Sequence, residues 1–346
     1  MHNARSDFVK RLSTALALYL ATLLFHPAAN ADSRGIDTQT RAASTPFVNG
    51  TYRALIIGND AYRDPQGRWP ALKTAVSDAR TLASQLRDNY GFSDVTVLEN
   101  ASLRDMLIAL EKLLHRVMAN DSVLVYYAGH GYLDAQTERG YWVPVDAVGT
   151  DHTTFLRNST IRDELSIIGQ RAKHTLLISD SCFAGSLLRT ASRGVDPDLG
   201  SERYYQKVSN KKSVQIITAG GVEYVDDNYR NSGHSPFTYF LLNELQHNNR
   251  PYLTAGELSQ NVEKAVANNV AQVPESGVLN EAGDELGEFI FLRMDIRVQV
   301  EGVPNDKVKV QVHVEPMTQK PAEPTGEKVS HGAVVNNRAA LPLPTF

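Results

Sequence analysis

The chain has 346 residues, 42% of them apolar, which suits one large domain with attachments and a sizeable core. A formal net charge of −4 at pH 7 and a pI near 6.2 lack the basic excess of a nucleic-acid-binding protein. A single cysteine in the whole chain excludes an internal disulfide framework.

Residues 1–31 read as a secretory signal peptide. Arg5, Lys10 and Arg11 open it, Leu12 to Phe25 is apolar, and Ala29-Asn30-Ala31 is a small-x-small cleavage signal. The competing reading is an uncleaved anchor, but the apolar run is shorter than the ~20 residues a span needs. The expectation is a cut after Ala31 and an exported protein, periplasmic or secreted, with no membrane span after signal removal. Residues 32–50 are polar and read as a linker.

Tyr52 to Ile57 is predicted as the first strand, followed by a loop from Ala61 to Pro70 at its carboxyl edge. Leu72 to Asn89 repeats apolar residues at helical spacing, with Gly91 suited to its C-terminal cap. Val95 to Leu98 is a second strand. Asn100 or Ser102 caps a helix over Leu103 to Met118. The third strand, Val123 to Tyr127, ends in Ala128-Gly129-His130-Gly131. Strand–helix–strand–helix–strand is the signature of a parallel sheet. After an excursion and a short extended piece, Tyr141 to Val145, a third helix runs from Asn158 or Ser159 to Gln170. The fourth strand, Thr175 to Ser179, runs into Asp180-Ser181-Cys182.

Residues 187–212 carry Arg189, Arg193, Arg203, Lys207, Lys211 and Lys212 without a strong apolar period and read as a long basic exposed loop. Val214 to Thr218 is a fifth strand, followed by an acidic loop with Glu223, Asp226 and Asp227. Ser235-Pro236 opens a helix to Leu245. Thr254 and Glu257 form a capping box for another helix, to about Ala267, and Glu288 to Leu292 is expected as the last core strand. Alternation between Asp295 and Val314 predicts an appended β-hairpin within residues 293–314. Residues 315–346 are rich in Pro, Ala and Asn and are expected to be disordered.

Two parallel strands thus deliver His130 and Cys182 to one edge of a sheet, where α/β proteins place their chemistry. An imidazole that takes the proton of a thiol leaves a thiolate able to attack a carbonyl. The Gly131 region and the Cys182 N–H are the natural donors to the resulting oxyanion. Asp180 lies two residues before the cysteine, so along an extended chain both side chains point the same way. A carboxylate there would attract a Lys or Arg of a substrate. The bland alternatives are a strand-end histidine, an inert buried thiol and a loop-bracing carboxylate. His115, His152, His174, His234 and His247 have no such context and read as surface or structural. No zinc or phosphate-loop motif occurs, so no metal site is assigned; calcium at Glu223, Asp226 and Asp227 is an option without an EF-hand pattern.

With YYAGHGY at 126–132 and ISDSCFAG at 178–185, the chain resembles the caspase–metacaspase superfamily of cysteine peptidases. Its His130-to-Cys182 spacing matches the ~50 residues of caspases. The resemblance implies a caspase-like αβα sandwich, with a mostly parallel six-stranded sheet over residues 51–292. It implies a cysteine endopeptidase with a His130/Cys182 dyad acting on protein or peptide substrates. Asp180 stands where caspases have Gln, as in metacaspases, which implies cleavage after Arg or Lys and possible self-cleavage in the basic loop. Asp78, in a segment like LKTAVSDA, matches an acidic residue on the family's first helix, where a bracing role and substrate contact are both open. Ala128 replaces the family's frequent pocket Ser, and Phe183-Ala184 replaces His-Ser after the cysteine. Ser235-Pro236-Phe237-Thr238 also resembles bacterial caspase-like domains. The alternative function is a catalytically silent caspase-fold module that acts by binding.

Overall fold

A computed structural model describes residues 50–182, 188–189, 201–220, 227–279, 282–294, 298–300 and 310–312. The expected signal peptide, linker and tail therefore lie outside the described residues. Its centre is a seven-stranded sheet. Strands β1 (Tyr52–Gly58), β2 (Asp94–Glu99), β3 (Ser122–Ala128), β7 (His174–Asp180) and β9 (Ser213–Thr218) are parallel, in the order β2-β1-β3-β7-β9. Every residue of β3, β7 and β9 is buried. Continuous apolar runs of this kind belong to parallel strands covered on both faces.

Helices α2 (Leu103–Arg116) and α3 (Asn158–Arg171) cover one face. They bury Met106, Leu110, Leu113, Ile161, Leu165 and Ile168 against Leu55, Ile57, Val123, Val125 and Leu177. The opposite face takes α1 (Ala75–Tyr90), α5 (Pro236–His247) and α6 (Ala255–Ala267). Local signals set several helix ends. Ser102 and Asp105 form a capping box on α2, Thr254 and Glu257 one on α6, and Gly91 ends α1 in the left-handed region at φ +66°. Helix α1 begins at Ala75 rather than Leu72, because Leu72 N–H donates to Asp60 O and Lys73 N–H to the Asp227 carboxylate. Among the described residues no helix is long and apolar enough to cross a membrane.

Three features depart from the sequence expectation. The strand beside β9 is β11 (Glu275–Leu279), antiparallel, with the two-residue β8 (Leu188–Arg189) outside it. The segment expected as the last core strand instead supplies β12 (Ile290–Leu292), paired with β10 (Tyr252–Thr254) in a separate two-stranded sheet. The sequence of β11, ESGVL, exposes its first two residues and shows neither alternation nor an apolar run. Within the expected basic loop, α4 (Glu202–Ser209) is helical, because Ser201 caps it and Tyr204, Tyr205 and Val208 are buried. The excursion after His130 folds as a three-stranded sheet of β4 (Gly131–Asp134), β5 (Arg139–Trp142) and β6 (Leu156–Arg157). The appended hairpin is present as β13 (Val298–Val300) paired antiparallel with β14 (Val310–Val312).

Candidate active site

The strand order reverses at β1, whose neighbours β2 and β3 follow it on opposite sides, so a crevice opens at the carboxyl ends of the parallel strands. In the ladder, Gly58 pairs with Ala128 and Ala128 with Asp180. His130 lies two residues beyond Ala128, and Cys182 two beyond Asp180. Equal overhangs on adjacent parallel strands carry the two side chains to the same height. Both line one cleft, together with Leu72, Thr74, Ala75, Asp78, Ala128, Gly129, Asp180, Asp227 and Ser235.

Two glycines make this approach possible. A Cβ on Gly131 would sit 1.9 Å from the Cys182 carbonyl oxygen, so only glycine lets the chain after His130 pack on the cysteine backbone. Gly131 is buried against the Cys182 backbone at this contact. Gly129 has φ +156°, and a Cβ there would meet Tyr127 Oη at 2.7 Å and Tyr62 Oη at 2.8 Å.

The orientation of His130 is held from several sides. Its N–H donates to Tyr62 Oη at 2.7 Å, and its carbonyl accepts from Tyr127 Oη at 2.8 Å. The Tyr62 ring lies 4.6 Å and the Trp69 ring 5.6 Å from the imidazole. Nε2 sits 2.9 Å from the Pro70 carbonyl. A carbonyl can only accept, so Nε2 carries the hydrogen and the neutral ring keeps its lone pair on Nδ1. Burial lowers the pKa of His130, partly opposed by the Pro70 carbonyl and by Asp227. The ring is therefore held neutral, the form a base requires.

Two carboxylates close the other side of the cleft. Asp180 is 4% exposed and Asp78 1%. Asp180 Oδ2 accepts from Ser235 Oγ and, at 2.6 Å, from Thr238 Oγ1. With the Thr238 hydrogen so directed, Tyr126 Oη donates to Thr238 Oγ1 at 2.6 Å. The other oxygen of Asp180, Oδ1, is buried without a hydrogen-bond partner. Burial and the neighbouring Asp78 push the Asp180 pKa up to about 7, against donation from Ser235 and Thr238. Burial also raises Asp78, opposed by His234, whose Nδ1 lies 2.6 Å from Asp78 Oδ1.

All the residues singled out for the site from the sequence therefore meet at this edge: His130, Cys182, Asp180, Asp78 and Ala128 in the cleft, Gly131 packed on its wall. Tyr62, Trp69, Pro70, Thr74, His234, Ser235 and Thr238 join them without having been assigned there. Only Ser235 and Thr238 carried a signal, in the SPFT segment. Of the histidines read as surface or structural, His174 is buried between Ser213 Oγ and the Ser209 carbonyl, and His234 pairs with Asp78. Of the acidic trio considered for calcium, Asp227 is described, and its two oxygens accept from the Lys73 N–H at the start of α1. Glu223 and Asp226 lie outside the described residues, and among those described no group of three His, Cys, Asp or Glu could hold a metal ion.

The family-model match and the curated relatives point to one family. A peptidase family model described as the caspase domain matches residues 51–279. The chain is 27% identical over 180 residues to Metacaspase-1 of Sclerotinia sclerotiorum, covering 44% of this chain and 39% of that protein. It is 24% identical over 159 residues to Metacaspase III c of Phaeodactylum tricornutum, covering 41% and 45%. The chain thus matches less than half the length of these curated relatives. Caspase-1 from Spodoptera frugiperda aligns in structure with a TM-score of 0.47 at 16% identity, over 66% of this chain and 87% of that one. A structural-genomics protein from Geobacter sulfurreducens aligns with a TM-score of 0.46 at 18% identity, over 69% and 99%. Since the family match takes in well over half of the chain and both strand ends that frame the cleft, the chain belongs to the caspase-domain family of peptidases.

Proposed function

We propose that the protein is a cysteine endopeptidase that hydrolyses peptide bonds after Arg or Lys, using Cys182 as nucleophile and His130 as base. The observation that carries this reading is the cleft itself. A thiol and a neutral imidazole line one side, and two buried carboxylates, one with an oxygen lacking a donor, line the other. Such an oxygen suits the guanidinium or ammonium of a substrate, which would supply the missing hydrogen bond and the counter-charge together.

The chemistry follows from the geometry. His130 Nδ1 takes the Cys182 thiol proton, and the thiolate attacks the carbonyl carbon of the scissile bond. Backbone N–H groups at Gly131 and Cys182 receive the developing oxyanion. His130 returns the proton to the leaving nitrogen as the C–N bond breaks. Water, deprotonated by His130, then hydrolyses the thioester and regenerates the thiol. The Pro70 carbonyl keeps the ring in the required tautomer throughout.

Self-cleavage within the basic loop belongs to the same reading, with a narrower choice of sites. Proteases take their substrates in extended form. Arg203 and Lys207 lie in α4, while Lys212 donates from Nζ to the Gln170 carbonyl and from its N–H to Glu285. Arg189, in β8, is extended, and Arg193 lies outside the described residues. Of the described basic residues, Arg189 is the preferred site, since Lys211 follows α4 with its N–H on the Val208 carbonyl. Calcium would have to use Glu223 and Asp226, since Asp227 already braces α1. An exported location, periplasmic or secreted, belongs to the same reading and is supported by the signal-like pattern of residues 1–31.

The test is cleavage of a peptide library by the mature chain, with Cys182→Ala as control. Cleavage after Arg and Lys, absent from the control, is expected. Cleavage after acidic or apolar residues would remove the basic specificity. A Cys182 that alkylates no faster than free thiol, with no cleavage, would leave a silent binding module.

A further inference from the structure

Behind the cleft, outside its lining, His234 faces Asp78. Its Nδ1 is 2.6 Å from Asp78 Oδ1, and its side chain is 19% exposed. Ser235 N–H donates to Asp78 Oδ2 at 3.3 Å. Both oxygens of Asp78 are therefore engaged, whereas Asp180 Oδ1 has no hydrogen-bond partner. The other titratable and charged groups around this pair are easily named. Asp180 comes from β7, Tyr126 from β3, His130 from across the rim and Asp227 from the loop that braces α1. Arg230, on the turn preceding His234, is exposed and lies over the Tyr229 ring at 4.9 Å. Among the described residues no Lys or Arg forms an ion pair with Asp78, Asp180 or Asp227, and His234 is the one basic side chain within ion-pair distance of any of them, at Asp78.

Two carboxylates buried in one site cannot both ionise without a counter-charge, and the unpaired pair would hold a proton between them. We propose that His234 is the built-in counter-charge of the specificity pocket: as imidazolium it donates from Nδ1 to Asp78 and keeps that carboxylate ionised, so Asp180 is left to receive the cation of the substrate. This rests on the basic specificity inferred above. Without the imidazolium, the carboxyl pair keeps its proton to higher pH, so an incoming Arg or Lys must expel one to solvent at pH values where the wild type need not. The penalty falls on substrate binding and grows as pH falls. His234 touches neither substrate nor nucleophile; it positions and charges the pocket through Asp78.

The experiment compares wild type, His234→Asn and His234→Ala on an arginine peptide amide between pH 5.5 and 9. Iodoacetamide alkylation of Cys182 is followed in parallel. Asparagine keeps a donor near the Nδ1 position without the charge. In His234→Asn, KM at pH 6 should rise about tenfold, the limb of kcat/KM should move up by about one pH unit, and the difference should close towards pH 9. kcat and the alkylation profile should not move. His234→Ala should show the same shift, plus a pH-independent loss from the missing hydrogen bond. An asparagine variant with the wild-type KM profile would overturn the counter-charge role and leave the basic specificity standing. A loss equal at every pH, or slowed alkylation, would reduce His234 to a structural brace. Failure of the wild type to cleave after Arg or Lys would overturn both readings together.

Discussion

The two ends of the sheet treat buried carboxylates in opposite ways. At the amino edge, Asp121 accepts from Thr51 N–H at 2.8 Å, Met118 N–H at 2.9 Å and Arg53 Nε at 2.7 Å. Arg53 in turn bridges to Asp94. Charge and hydrogen bonds are complete within the chain, and this cluster ties β1, β2 and β3 together. At the carboxyl edge, Asp180 is as deeply buried but keeps one oxygen without a donor, and burial together with its like-charged neighbour Asp78 pushes its pKa up to about 7. Burial alone thus marks neither site. A buried charge whose partners are complete serves the fold, and one left incomplete at a cleft is a candidate for binding a ligand.

The largest expected effect lies at the cleft. Cys182→Ala should abolish peptide cleavage to the limit of detection, and His130→Ala should lower kcat by about 10²–10⁴, in both cases with an unchanged melting temperature. A melting loss as large as the activity loss would show that the dyad is structural. Next, Asp180→Ala should lower kcat/KM for arginine substrates by about 10²–10³, the size expected when one partner of a buried charge pair is removed. Cleavage by that variant undiminished after Arg would take Asp180 out of the pocket. At the other edge the same change should read out differently. Asp121→Ala leaves Arg53 with Asp94 alone and takes the acceptor from the Thr51 and Met118 N–H groups, and should cost about 1–3 kcal/mol of stability, seen as a fall of about 5 °C in Tm. The folded fraction should keep its kcat/KM; a specific loss of activity would break the contrast between the edges.

The smallest effect is a pH dependence. Asp180 holds its proton in the folded state up to about pH 7, against 3.8 for an ordinary aspartate. Between those values the folded chain binds more protons than the unfolded one, so this contribution to stability is complete below about pH 4 and is lost as pH rises to about 7. Asp180→Asn removes it. Melting curves should show the variant gaining on wild type across that interval, with a constant gap above it. A gap independent of pH would mean that Asp180 is not proton-linked to folding.

The core of the fold was legible from local pattern. Continuous apolar runs at β1, β3, β7 and β9, and the capping signals at Ser102, Gly91 and Thr254, each act over a few residues and leave their mark there. Even the meeting of His130 and Cys182 followed from two strands of like design ending in chemistry. The segment β11 was hidden, because an edge-side antiparallel strand of ESGVL type needs no apolar run when only part of it is covered. Helix α4 was hidden under its basic residues, its buried Tyr204, Tyr205 and Val208 too few to set a period.

By itself, the sequence determined the parallel sheet, the edge where the chemistry sits, and the two residues proposed to perform it, because strand burial and motif spacing are written in neighbouring residues. Only the tertiary structure decided how the charges of the pocket are balanced. His234 meets Asp78 across 156 residues, and Ser235 meets Asp180 across 55. A carboxylate's ionisation depends on what surrounds it in space, and no local pattern specifies which distant side chain the fold will bring there.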